Sequence, residues 1–187
     1  NCALIDYNIG KIYYREEDYE NALKYYQLAN QNNPYREEYQ NSLSNVLVYY
    51  INEGLEYEGF KDFGSAVEQY LIAFDNMNTD DPNYLILLFK ISKAYYYLKN
   101  YDSALKYLMD LVSINVNHYQ AFNMIGEIYK KESNYEEALI YYKKAIEINP
   151  SFASAHNNLG LVYKNLGEHQ KAKSCYEKAI EINPNYA

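Results

Sequence analysis

Along this chain apolar residues return every three or four positions and not every second one. Between residues 119 and 152, Ile125, Ile128 and Tyr129 mark one window, and Tyr135, Ala138, Leu139, Tyr142 and Ile146 mark the next. A period near 3.6 belongs to a helix with one buried stripe, whereas a half-buried strand would alternate. Asn134 falls between the two windows, where the chain must reverse. Pro150 follows the second, where a missing N–H donor no longer breaks a helix. The next stretch repeats the arrangement with Gly167 between its windows and Pro184 after them. The pattern predicts helix, tight turn, helix, short turn.

The pattern also has a longer period. Gly126 and Gly160, Tyr129 and Tyr163, Ala138 and Ala172, Tyr142 and Tyr176, Ala145 and Ala179, and Pro150 and Pro184 all stand 34 apart, and AIEINP recurs unchanged. A fixed period of this length predicts stacked hairpins that bury their apolar faces against neighbours. Ile9, Gly10, Tyr13, Ala22, Tyr26, Ala29 and Pro34 repeat the pattern near the start. A diverged copy at 85–118 carries Ser92 in the glycine place, with Ile91, Tyr95, Ala104, Leu108 and Leu111 in frame. Gly54, Tyr57, Ala66, Tyr70 and Ala73 mark another copy.

Steps between the small residues locate inserted chain. Ala22 to Ala66 is 44, Ala66 to Ala104 is 38, and the steps to Ala138 and Ala172 are 34 each. Ten extra residues therefore precede Gly54, and four lie near Asp81 to Tyr84. The ten are expected to add turns to the start of a first helix and to protrude from the stack, or else to form a short helix at Glu37 to Asn45. The four are expected to lengthen a connection or add a turn to the next helix, whose start is signalled by Asp80, Asp81 and Pro82. The result is one array over 1–187, with repeats at about 3–36, 37–80, 81–118, 119–152 and 153–186.

Leu159, Gly160, Tyr163, Ala172, Tyr176, Ala179 and Pro184, with Ile125, Gly126, Tyr129, Ala138, Tyr142, Ala145 and Pro150 before them, resemble the tetratricopeptide repeat. The resemblance implies an all-α, right-handed α-solenoid of five antiparallel helical hairpins, and the inserted residues give the second an elongated first helix. It implies that first helices line a concave groove, second helices form the outer wall, and the whole is a scaffold binding a peptide or partner protein. On that frame the expected ligand-contacting residues are Phe89, Lys93, Tyr96 and Tyr97 in the third repeat, Asn123, Glu127 and Lys130 in the fourth, and Asn157 and Lys164 in the fifth. The middle of the groove is apolar and aromatic and its C-terminal end rich in amides and lysine, which suits an extended or helical peptide. The family's carboxylate clamp is incomplete, since Tyr7 stands where a lysine is expected and Lys11 where an asparagine is expected. Asn123, Asn157 and Asn158 are similar to a fragment of the asparagine ladder of a sugar-transferring enzyme. The alternatives are therefore a substrate-recognition segment of a larger enzyme such as a glycosyltransferase, or a self-assembly module pairing through the protruding turns of the second repeat's first helix or through the terminal helix edge at Ala172, Tyr176 and Ala179.

Charge narrows the partners. The net charge is −8, and residues 1–80 hold 14 acids against 5 bases while residues 81–187 hold 11 against 12. Such a chain is not expected to bind nucleic acid non-specifically or to adhere to an anionic membrane. The most apolar stretch, Leu85 to Leu98, is short and interrupted by Lys90 and Lys93, so no membrane insertion is expected. With only Cys2 and Cys175, the chain fits a reducing, cytoplasmic setting. It begins at Asn1 without a methionine or secretory leader and ends, at Asn183 to Ala187, like the lead-in to another repeat, so a fragment of a longer protein is expected. His118, His156 and His169 lack metal-ligand spacing, Cys175 has no adjacent histidine, and no phosphate-binding glycine loop occurs. Neither catalysis nor a cofactor is expected of this stretch; an enzymatic parent stays open.

Overall fold

The computed structural model describes residues 2–185, and its described residues form ten α-helices and no strand. They are α1 (Cys2–Arg15), α2 (Tyr19–Asn32), α3 (Glu37–Gly59), α4 (Phe63–Asp75), α5 (Tyr84–Tyr97), α6 (Tyr101–Ile114), α7 (Tyr119–Lys131), α8 (Tyr135–Ile148), α9 (Ala153–Asn165) and α10 (His169–Ile182). They pair in sequence as five hairpins. The last residues of the expected lead-in, Tyr186 and Ala187, lie outside the described residues.

One device makes every tight turn. The residues before the second helices, Glu17, Lys61, Lys99, Ser133 and Gly167, all have left-handed backbone, with φ between 59° and 76°. The next residue donates its N–H back to the carbonyl of the repeat's tyrosine, as Asp18 does to Tyr13 (3.0 Å) and Asn134 to Tyr129 (2.9 Å). Its side chain then accepts from the third helical N–H in the four hairpins capped by Asp18, Asp62, Asn100 and Asn134. Glu168 makes no such cap, and that turn alone has glycine at the left-handed position.

Glycine inside the first helices has a different reason. A Cβ on Gly10, Gly54, Gly126 or Gly160 would lie 2.4–2.8 Å from a ring carbon of Tyr26, Tyr70, Tyr142 or Tyr176 respectively. Each of these four hairpins thus closes by laying a tyrosine ring on bare helix backbone. In the third hairpin Ser92 and Leu108 replace the pair, and both are fully buried. The smaller Leu108 leaves room for a side chain at 92, and the Ser92 hydroxyl donates to the Phe89 carbonyl at 2.7 Å.

The chain forms two compact units, residues 1–87 and 88–187. In the first, α3 is one continuous helix of 23 residues, so the ten extra residues are added helical turns and not a separate helix. They do not protrude. Tyr39 is 1% exposed and packs on Tyr7 with ring centroids 4.8 Å apart, while the Tyr7 hydroxyl donates to Glu38 at 2.7 Å. Burying two aromatic rings draws the added turns onto α1. The four further residues lengthen a connection: residues 76–83 join α4 to α5, where four residues join α2 to α3, α6 to α7 and α8 to α9. Asp81 organises that loop by accepting from the Asn83 N–H at 2.8 Å. In the second unit, Leu108, Leu111, Ile125, Ile128, Tyr142 and Val162 are the large, fully buried side chains on α6 to α9.

Candidate functional site

The first helices of the second unit carry a polar network built across hairpins. On α7, one turn separates Asn123 from Glu127, and the Asn123 amide donates to Glu127 Oε1 at 3.1 Å. Asn158 on α9 donates to the same oxygen at 2.9 Å and to Asn123 Oδ1 at 3.3 Å. Lys130 closes the set by donating from Nζ to Asn158 Oδ1 at 3.0 Å. The Tyr96 phenol on α5 lies within the influence of the Glu127 carboxylate, which brings a third first helix to the cluster. Asn123 and Asn158 are each only 8% exposed. Buried amides held at both ends are pre-positioned groups, since leaving them unpaired would cost about 1–3 kcal/mol each.

Burial and charge tune this cluster. Burial pushes the Tyr96 phenol well above its ordinary value, and the Glu127 carboxylate adds to the shift. Burial lowers the Lys130 ammonium, with Glu127 working the other way. The Tyr142 ring lies beneath, with Lys130 Nζ 5.8 Å from its centroid, and its buried hydroxyl has no hydrogen-bond partner among the described residues. Lys131, exposed on the same helix, stands over the Tyr96 ring at 5.7 Å.

Of the residues singled out from the sequence, Tyr96, Asn123, Glu127 and Lys130 come together. Tyr97, half exposed, packs edge-on against Tyr96 at 5.7 Å, and Lys93 stands over Tyr97 at 5.9 Å, extending the cluster along α5. Phe89 turns instead to the His118 ring at 4.8 Å. Asn157 is half-buried and Lys164 exposed on α9, and neither is in the network. Its amide is Asn158, because the next position round the helix faces α7. Lys131 faces the groove as its place in the fourth repeat implies, and Tyr142, expected only as a packing position of the repeat, underlies the cluster.

His118 has a structural task. Its Nδ1 accepts from the Ala121 N–H at 3.1 Å, making it the N-cap of α7, and burial lowers its pKa. In the first unit, a cavity of about 180 Å³ lies among Tyr7, Lys11, Tyr14 and Ser42, the last contributed by the early turns of α3. Among the described residues both cysteines are free, no group of three or more His, Cys, Asp or Glu could hold a metal ion, and no helix is long and apolar enough to cross a membrane.

Family models described as tetratricopeptide repeat match residues 7–35, 86–118 and 153–186, and one described as TPR repeat matches 126–167. No curated protein matches the sequence. Among solved structures, "Crystal structure of MamA" is 19% identical, with 94% of this chain and 95% of that chain covered and a TM-score of 0.67. "MamA 41-end from Desulfovibrio magneticus RS-1" is also 19% identical, over 100% of this chain and 97% of that chain, with a TM-score of 0.67. "Crystal structure of YrrB: a TPR protein with an unusual peptide-binding site" is 22% identical, over 98% of this chain and 88% of that chain, with a TM-score of 0.60. At these identities the likeness is one of fold, the stack of helical hairpins.

Proposed function

Because the chain belongs to the tetratricopeptide repeat family, whose fold serves as a protein-interaction scaffold, we propose that its α5–α7–α9 face binds a peptide segment of a partner protein. The observation that carries this reading is the network joining Asn123, Glu127, Lys130 and Asn158, with Tyr96 beside its carboxylate. It holds amide and ammonium donors on a face whose other groups are aromatic. A main-chain segment offers carbonyls and N–H groups to such a face, and its side chains find the rings. Lys130 has three N–H bonds, of which one is used on Asn158, leaving donors for a ligand carbonyl or carboxylate. Tyr97, Lys93 and Lys131 border the face, and Asn157 and Lys164 extend it along α9, while Phe89 supports it from the His118 side. The peptide-binding site named for the YrrB structure is a precedent within the same fold.

The test is to select peptides by display against the wild-type chain and remeasure their affinity for Tyr96→Ala, Asn158→Ala and Lys131→Ala. Truncating a group at the centre of such a face is expected to weaken binding by ~1–2 kcal/mol, about tenfold. Unchanged affinity in all three variants for every selected peptide would remove the face from consideration.

A further inference from the structure

A second groove, of about 760 Å³, lies between α6 and α8 with the start of α7, where Met109, Val112, Val116, Phe122, Tyr141 and Ile148 make most of the lining and Ser113, Asn117 and Glu147 add polar groups. Lys144 belongs to it, with Nζ 5.7 Å from the Phe122 ring centroid and 5.4 Å from that of Tyr141. The repeat supplies an internal comparison. Residues 34 further on are His156 for Phe122, Cys175 for Tyr141, Lys178 for Lys144 and Glu181 for Glu147, and they line a smaller cavity of about 390 Å³. There Lys178 donates to the Glu181 carboxylate at 2.9 Å. Lys144 makes no ion pair among the described residues, with Glu147 or any other acid; the two aromatic faces hold it instead.

The two positions therefore differ in kind. One is a polar seam closed by its own ion pair, and the other a mostly apolar channel whose edge carries Lys144 not paired with the nearby Glu147. The complement of the latter is an apolar side chain next to a carboxylate. Val116 is 64% exposed, so the groove does not enclose its contents as small-molecule sites do, which bury ~70–90% of their ligand. A chain laid across the surface fits it better. We propose that this groove docks a short acidic–apolar peptide segment of a partner protein, its apolar side chains on Val112, Val116 and Phe122 and its carboxylate paired with Lys144. The site is independent of the α5–α7–α9 face, so one chain could engage two segments.

The probe is a panel of short blocked peptides, each combining Leu, Phe or Met with Asp or Glu, titrated into the isotopically labelled full chain and followed by amide NMR. Matched peptides with Asn or Gln for the acids, and dodecanoate as a free amphiphile, run beside it. Shifts are expected around Val112, Val116, Phe122 and Tyr141. Lys144→Glu, a change at an exposed position, is expected to weaken binding about tenfold or more. Tyr96→Ala and Asn158→Ala should leave this binding unchanged, which separates it from the other face. No binding by any member, equal binding of the uncharged peptides, insensitivity to Lys144→Glu, or binding of dodecanoate alone would each overturn the proposal.

Discussion

Replacing Gly126 with alanine tests the packing rule on which the hairpins rest. The new Cβ would lie 2.8 Å from Tyr142 Cε1 and 2.9 Å from Cδ1. Favourable carbon–carbon contact begins near ~3.5 Å, so the ring must retreat by roughly 0.6 Å or more. It has little room, because Tyr142 is fully buried in a cluster with Leu159, Val162, Tyr163 and Ala172. Overpacking of this kind costs about 1–3 kcal/mol, and alanine's better helix propensity returns up to ~1 kcal/mol. Gly126→Ala is therefore expected to destabilise by ~1–2 kcal/mol, read as a lower urea midpoint by far-UV circular dichroism. The third hairpin suggests the rescue. Gly126→Ser combined with Tyr142→Leu reproduces the Ser92–Leu108 pair, and the double variant should be more stable than the sum of the single effects by ~1 kcal/mol or more. A Gly126→Ala chain as stable as wild type, or strict additivity in the double variant, would refute the argument that ring-on-backbone contact demands glycine.

Three further outcomes follow from the same structure. Ser133→Gly or Lys99→Gly should stabilise by ~0.5–1 kcal/mol by relieving left-handed strain, and Gly167→Ala should destabilise by ~1 kcal/mol, all measured by chemical denaturation. Tyr142→Phe removes a buried hydroxyl without a partner and is expected to be neutral or stabilising by up to ~1 kcal/mol; a loss larger than that would reveal a partner for the hydroxyl. His118, whose pKa is lowered by burial and whose Nδ1 accepts a hydrogen bond, keeps its neutral form to lower pH in the folded chain, so the unfolded chain binds the extra proton first. Stability should thus be complete above the ordinary histidine value near ~6.5 and fall as pH drops from there through the folded value. In His118→Asn, which keeps an N-cap acceptor, that part of the fall should vanish from denaturation midpoints taken across the pH range.

Much of the architecture could be read from local chemistry. The five hairpins, the second with its elongated first helix, lie where the spacing of glycine, tyrosine and small residues puts them. The turn signals at Asn134 and Gly167 lie at the turns. The site was half legible: Tyr96, Asn123, Glu127 and Lys130 converge, but the amide completing the network is Asn158 and not Asn157, and Phe89 packs on His118. The expected protrusion of the added α3 turns failed because Tyr39 finds a partner 32 residues earlier in Tyr7, and no local pattern announces that pair.

By itself, then, the sequence determined the repeat frame, its inserted residues and the hairpin closures, because a 3.6-residue period and a ring against bare backbone are properties of one helix pair. Which residues of neighbouring repeats meet was decided only by the tertiary structure. Each step along a helix turns the side chain by ~100°, so the rotation of α9 against α7 selects Asn158 over its neighbour. That rotation is set by packing summed over the whole interface and is written in no single motif.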